Sequence, residues 1–259
     1  MAFSPDYRTY SRASAPTTAA VLDAGLRAYM LRVYNWMASG LVLTGAVAFA
    51  IFSVPSLHAL FYHDYMTPAG LVVHNQPTAL AMIAVFAPLA FVLVLSMGVN
   101  RLSTSAAQTL YWVFCAAMGA SLTSIFVIYT GDSIARVFFI TAATFAAMSI
   151  YGYTTKADLS RFASFLMMGL FGIIIAGLVN IFLQSSALQF AISIIGVVVF
   201  TGLTAYDTQR IKSSYVQYAY AEGPDAAAKR SVYDALSLYL NFINLFMLLL
   251  QLLGNRNSN

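Results

Sequence analysis

Long apolar stretches separated by short polar connections dominate this sequence. Each stretch is close to the roughly 20 residues that a helix needs to cross the hydrocarbon core of a bilayer. The pattern therefore predicts an all-α integral membrane protein with seven transmembrane helices. Their predicted bounds are Met30–Val54, Thr78–Met97, Ala107–Tyr129, Ile134–Tyr153, Phe162–Leu183, Ala187–Thr208 and Tyr233–Leu253.

The composition supports this class. Of 259 residues, 60% are hydrophobic and 8% are charged, whereas a typical soluble domain carries about 25% charged residues. A soluble fold has no interior large enough for so much apolar surface, so the lipid bilayer is the expected partner. The net charge of +4 would suggest nucleic acid in a soluble protein. Here the basic residues lie in short connections between spans, and we expect no nucleic-acid partner.

The distribution of Lys and Arg predicts the orientation. Eleven of the 13 basic residues lie in the N-terminal segment, at the entry of the first predicted span or in the connections after the second, fourth and sixth predicted spans. The positive-inside rule then places the N-terminus in the cytoplasm and, after seven spans, the C-terminus outside. A re-entrant seventh helix would instead return the C-terminus to the cytoplasm. We expect three parts: a polar, disordered cytoplasmic tail (1–28), a transmembrane domain (29–254) and a short C-terminal tail (255–259).

Asp207 is the acidic residue that the sequence places clearly inside a predicted membrane-spanning helix. A charged, unpaired carboxylate is costly within a membrane, so it marks a functional site by default. Asn241 and Asn244 share one face of the last predicted helix, and antiparallel packing brings Asn241 to a similar depth. Two interpretations follow. The cluster is a proton- or cation-sensitive gate, or Asp207 lies at a solvated helix end and makes ordinary hydrogen bonds.

The sequence lacks the residues that intramembrane enzymes require. Tyr206 and Asp207 match the YD pair of aspartyl intramembrane proteases, but there is no GxGD motif and we predict no second buried acid. The three histidines, His58, His63 and His74, lie in one connection, so no histidine is available within a span for a rhomboid-type serine protease. HExxH and Walker A patterns are also absent. We therefore expect a protein that is not an enzyme and carries no cofactor.

Two further features have simple interpretations. The three histidines and Asp64 match no spacing typical of metal ligands, so we expect solvated loop residues there. Cys115 is the single cysteine, and its apolar surroundings predict a small buried side chain.

Three stretches together resemble a known family. They are Ser121–Phe162, Gly202–Lys212 (GLTAYDTQRIK) and Ala235–Gly254 (ALSLYLNFINLFMLLLQLLG). In residues and in order they are similar to the Bax inhibitor/YccA family, the transmembrane Bax inhibitor motif proteins, of the bacterial type. The resemblance runs from the first predicted span to the end of the chain. It implies six helices surrounding a central apolar seventh, and a slow, pH-sensitive leak with calcium as the transported ion.

The resemblance also assigns residues. In the family, an aspartate in the sixth helix and one in the seventh form a titrating pair that gates the pore, and a basic residue near the end of the second helix latches onto it. Asp207 matches the first aspartate. Asn241 stands where the family has the second, because this chain reads YLNFINLF rather than YLDFINLF. Arg101 is the candidate latch by position, and Asn244 and Tyr206 are candidate supporting polar residues.

The Asp-to-Asn departure changes the expected chemistry. Two carboxylates in contact repel each other when both are ionised, whereas an amide either donates to an ionised acid or accepts from a protonated one. We therefore expect Asp207 to titrate as a single site. Asp207 is also the candidate calcium ligand, with weaker divalent binding than a pair of carboxylates would give.

A second function stays open. Bacterial YccA-like members resemble modulators of a membrane-anchored AAA protease, and the family is linked to stress and cell-death control. In that hypothesis the protein is a non-conducting interaction protein, and the tail or the connection Ser213–Arg230 carries the function. In either case we expect the bacterial inner membrane as its location.

Overall fold

The computed structural model describes residues 18–66, 72–98, 102–218 and 224–257, and helices account for most of them. A 3₁₀ turn, Leu159–Phe162, precedes α7, and strands β1 (Tyr62–Met66) and β2 (Val72–Pro77) form an antiparallel pair. The helices are α1 (Thr18–Ser53), α2 (Pro55–Phe61), α3 (Ala79–Gly98), α4 (Thr104–Leu122), α5 (Ser124–Ile128), α6 (Gly131–Thr154), α7 (Ala163–Leu183), α8 (Ser186–Tyr218) and α9 (Pro224–Leu253).

Within the described residues, six helical segments are long and apolar enough to cross a membrane. They are α1, α4 continued by α5, α6, α7 with the turn before it, α8 and α9. The described apolar part of α3, Ala79–Leu95, is shorter than these. The chain is therefore a helical integral membrane protein whose described part contains six membrane-length helices, and a seventh span at α3 stays a prediction.

Several helices extend beyond their predicted spans. Helix α1 begins at Thr18, inside the segment assigned to the polar tail, whose residues 1–17 lie outside the described part. Helix α8 continues to Tyr218 rather than ending at Thr208, and α9 begins at Pro224. Hydropathy identifies only the apolar part of a helix, which can face lipid. The hydrogen-bonded helical backbone can extend further, into polar residues outside the membrane.

Helix α9 lies at the centre of the bundle. In the most apolar 18 residues of α9, 61% are buried inside the protein. The corresponding value for the segment that contains α7 is 11%. It packs extensively against α8, α1, α6 and α4, whereas α3 packs mainly on α4, and α7 on α8. The expectation of six helices around the seventh needs correction, because four helices form the main shell and two lie outside it.

Helix α9 also runs the length of the bundle. After it ends, the C-terminal residues pair with the connection between α5 and α6. The amide of Thr130 donates to the carbonyl of Asn255 (3.1 Å), and the amide of Asn257 donates to the carbonyl of Ile128 (2.9 Å). These contacts hold the C-terminal segment at the start of α6, while the start of α9 lies near the end of α6. Helix α9 is thus one continuous helix of membrane length, and the location of the C-terminus outside stays a prediction.

The described residues of the connection between α1 and α3 form α2 and the two strands. We expected solvated loop residues there. The side chains of His63, Asp64 and His74 are exposed, but they lie on strands rather than in a loop. The imidazole of His74 lies 3.0 Å from Asp64, and the amide of Asn75 donates to the same carboxylate (3.1 Å). These two contacts hold the pKa of the exposed Asp64 carboxyl below its ordinary value. The hydrogen bond from the backbone amide of Asn75 has the larger effect, and the contact with His74 has the smaller one.

Glycines set the closest helix contacts. A Cβ at Gly152 on α6 would collide with the carbonyl oxygen of Ala205 on α8, and one at Gly196 would lie 2.6 Å from a methyl of Leu248 on α9. Small residues at such crossings let helix backbones approach in a membrane. By contrast, a Cβ at Gly172 would meet nothing within 4 Å.

We predict that Gly152→Val lowers the melting temperature by about 5 °C, because its side chain forces α6 away from α8. Cys115 is the single cysteine and is fully buried, so labelling of its thiol during heating reports unfolding. Gly172→Val is the matched control and should melt like the wild type. Equal losses for both variants would contradict the proposed contact.

Candidate functional site

Asp207 lies on α8 with its side chain 14% exposed, and both carboxylate oxygens have partners. The amide nitrogen of Asn241 on α9 donates to Oδ2 at 2.7 Å. The guanidinium of Arg210, one turn further along α8, lies 3.1 Å from Oδ1. The structure thus brings Asp207 and Asn241 into contact, as antiparallel packing of the two helices predicts. The carboxylate at this depth is paired and hydrogen-bonded.

Arg210 is a residue that the sequence analysis missed. Its guanidinium also donates to the hydroxyl of Ser237 on α9 (3.3 Å), so one side chain contacts both helices. A cation beside a partly buried carboxylate offsets much of the desolvation penalty of that carboxylate. The sequence alone could have predicted the pairing of Asp207 with Arg210, because residues three apart on a helix lie on one face.

Asp234 is a second acid near the site. The hydroxyl of Tyr29 on α1 donates to its Oδ2 at 2.6 Å, and its carboxylate is close enough to Arg210 and Asp207 for their charges to act on it. We predicted no second buried acid, and the structure places the half-buried Asp234 beside Asp207. The last span was predicted from Tyr233 onward, which put Asp234 at its border. Helix α9 begins earlier and α1 packs against it, so Asp234 is partly buried.

The other predicted site residues lie elsewhere. The amide of Asn244 donates to the carbonyl of Leu240 on its own helix (2.8 Å), not to Asp207. Tyr206 lines a separate cavity at the end of α6. The candidate latch, Arg101, lies outside the described residues. Within the described residues, no three His, Cys, Asp or Glu side chains are grouped closely enough to hold a metal ion.

A buried aromatic layer lies deeper in the bundle. Tyr239 is fully buried on α9, and its hydroxyl lies 2.7 Å from that of Thr44, which donates to the carbonyl of Cys115 (2.9 Å). The rings of Tyr111 and Phe114 pack edge-on against Tyr239. This layer fills the space between α1, α4 and α9 and leaves the tyrosine hydroxyl satisfied.

Polar side chains gather again at the far end of α8 and α9. The amide of Gln189 donates to Gln251 (2.7 Å), Ser193 donates to the same oxygen (2.9 Å), and Asn180 on α7 donates to Gln189 (3.0 Å). Gln189, Ser193 and Gln251 line a cavity of about 710 Å³. The interface of α8 and α9 is therefore polar at both ends and apolar between them.

A bundle of membrane-length helices around one central helix, with a paired carboxylate at one end, defines a helical integral membrane protein. The family model described as inhibitor of apoptosis-promoting Bax1 matches residues 26–258. The chain therefore belongs to the Bax inhibitor family. The resemblance carried by the three motifs is confirmed.

Individual relatives cover nearly the whole chain. The uncharacterised protein RP147 of Rickettsia prowazekii is 48% identical over 237 residues, which are 91% of this chain and 93% of the relative. A Caulobacter vibrioides protein is 46% identical over 239 residues, 92% of each chain. The inner membrane protein YbhL of Escherichia coli is 44% identical over 233 residues, 90% of this chain and 94% of YbhL.

We predict that Asn241→Ala destabilises the bundle by about 1–3 kcal/mol, because it removes the donor to a buried, charged acceptor. Asn244→Ala is the matched control, since within the described part of the chain that amide donates to a carbonyl of its own helix. It should shift stability by less than about 1 kcal/mol. Thermal labelling of Cys115 measures both variants, and a larger loss for Asn244→Ala would contradict the assignment.

Proposed function

We propose that this protein provides a slow, pH-modulated cation leak, with calcium as the transported ion and Asp207 as the gating residue. The observation that carries the proposal is the partly buried Asp207 carboxylate, bonded to Asn241 on the central helix and paired with Arg210. An ionisable group at membrane depth is typical of ion pathways. The polar far end of the same helix pair, around Gln189 and Gln251, supports a path along this interface.

The gate acts through the contacts between α8 and α9. Ionised Asp207 accepts from Asn241 and attracts Arg210, and these bonds hold the two helices together. Protonation removes the charge, so the attraction of Arg210 falls and the helices separate more easily. The leak therefore increases as the pH falls through the titration of Asp207. Because Asn241 is an amide, Asp207 titrates without a carboxylate in direct contact.

The remaining features of the proposal follow the family and the composition. Helix α3 serves as a seventh span, the N-terminus lies in the cytoplasm and the C-terminus outside. The membrane is the bacterial inner membrane, as for the relative YbhL. The protein is not an enzyme and needs no resident cofactor. Asp207 is the weak calcium ligand. Arg210, which contacts Asp207, is a second candidate for the latch role beside Arg101.

A second candidate is a non-conducting interaction protein that modulates a membrane-anchored AAA protease or stress and cell-death machinery. One observation favours it. Both oxygens of Asp207 already have partners, Asn241 and Arg210. In this hypothesis these contacts have a structural role, which is to hold α8 against α9. In this case the function lies in the N-terminal tail or in the segment Ser213–Arg230, which includes the end of α8 and the start of α9.

Calcium flux into proteoliposomes, measured across neutral pH with purified protein, tests the leak. We predict that Asp207→Asn removes most of the pH dependence, because the amide does not titrate. Asn241→Asp should steepen and shift the pH dependence, since it places a second carboxylate in contact with the first. Asn244→Asp is the matched control and should leave the profile of the wild type.

Two results would contradict the leak. One is a flux no greater than that of protein-free liposomes at any pH. The other is an unchanged pH profile in both Asp207→Asn and Asn241→Asp.

Deletion of residues 1–17 separates the two candidate functions. The leak hypothesis predicts normal flux, because the gate residues lie on α8 and α9. The interaction hypothesis predicts loss of protease modulation in cells together with unchanged behaviour in liposomes. Protease turnover of a membrane substrate in cells, with and without the deletion, measures this difference.

A further inference from the structure

A polar cavity of about 610 Å³ lies between the end of α6, the connection after it and the last turns of α8. Helix α8 contributes residues spaced three or four apart, which form one face of that helix. The opposite wall is Gly152 and the connection from Thr155 to Ser160. The cavity lies where the apolar part of both helices ends, at one border of the membrane.

Hydrogen bonds hold the two walls in place. The side chain of Gln209 on α8 accepts from the amide of Leu159 and donates to the carbonyl of Ala157, both at 2.8 Å. The ammonium of Lys212 donates to the carbonyl of Tyr153 at the end of α6 (2.7 Å) and lies 4.8 Å from the centre of its ring. The cavity is therefore a built feature of the fold and not a gap between unconnected loops.

The charged lining is mostly basic. Lys156, Arg210 and Lys212 line the cavity together with one acid, Asp158. Arg210 pairs with Asp207, whereas neither lysine makes an ion pair with any residue that the structure describes. The carboxylate of Asp158 accepts from the amide of Ser160 in its own turn at 2.9 Å. Two lysines therefore give the cavity an excess of positive charge.

We propose that this cavity binds the phosphate group of an anionic lipid. Basic pockets between transmembrane helices at a membrane border attract anionic headgroups. The positive-inside rule explains on which side of the membrane Lys156 and Lys212 lie, but it does not require side chains from two elements to line one cavity. A volume of about 610 Å³ is within the range of small-molecule sites.

The surroundings favour a lipid over a free phosphate ion. Just before the cavity wall, α6 exposes Ile150 and Tyr151, at 64% and 48% of their surface. Acyl chains can lie against these side chains while the phosphate contacts the lysines, and a free ion would gain nothing from them. The structure thus joins a basic cavity to an apolar helix surface, as a glycerophospholipid requires. Arg210 belongs both to this cavity and to the Asp207 site.

Binding of phosphatidylglycerol to the purified full chain tests the proposal, with native mass spectrometry as the readout and phosphatidylcholine as the neutral lipid. We predict that Lys156→Gln weakens binding of phosphatidylglycerol on the order of five-fold, as expected for one lysine at a membrane surface. Lys156→Arg should restore it, because the charge is kept. Binding of phosphatidylcholine should not change.

Arg161→Gln is the matched control. Arg161 lies in the same connection and carries the same charge, but it does not line the cavity. It should bind phosphatidylglycerol as the wild type does. Equal losses for Lys156→Gln and Arg161→Gln would overturn the site, since they would indicate general attraction of a basic surface. No loss for Lys156→Gln would also overturn it.

Competition with inorganic phosphate identifies the source of the phosphate group. If a lipid is the ligand, inorganic phosphate should displace phosphatidylglycerol poorly, because it lacks acyl chains. Binding of inorganic phosphate alone, with the same dependence on Lys156 and equal strength, would overturn the lipid assignment. Thermal labelling of Cys115 in each variant confirms that the proteins compared are folded.

Discussion

Placing a carboxylate inside a bundle of apolar helices imposes the constraint on which this structure depends. Without water, an ionised acid must find its donors within the protein. Asp207 finds one on α9, the amide of Asn241, and one on its own helix, the guanidinium of Arg210. Because these donors come from two helices, satisfying one carboxylate also fixes how α8 and α9 lie against each other.

The central position of α9 follows from the same packing. The helix is buried over most of its apolar length, and it carries the partners that tie its neighbours at one end: Asn241 and Ser237 toward α8, and Asp234 toward Tyr29 on α1. In a membrane, lipid is as apolar as a leucine surface, so polar contacts and close glycine crossings specify which helices associate. Tyr239, fully buried and bonded to Thr44, adds such a contact deeper in the bundle.

Depth along a helix was enough to predict one contact at the candidate site. The distances of Asp207 and Asn241 from the polar ends of antiparallel helices place them at one level, and they are in contact. It was not enough at Asp234, because the contact of this residue with Tyr29 depends on α1 packing against that turn of α9. It also failed at Arg210: the spacing from Asp207 was visible, but only the packed structure shows that its guanidinium reaches Ser237 on α9.

The sequence by itself determined the membrane class, the family and the identity of the buried acid, because each depends on local composition or on motifs. Tertiary structure decided the partners of that acid, the four-helix shell around α9 and the meeting of Lys156, Arg210 and Lys212 in one cavity. Hydropathy specifies that a helix is buried in lipid or protein, but it carries no information about which neighbour lies on which face. That choice depends on side-chain contacts between residues far apart in the chain.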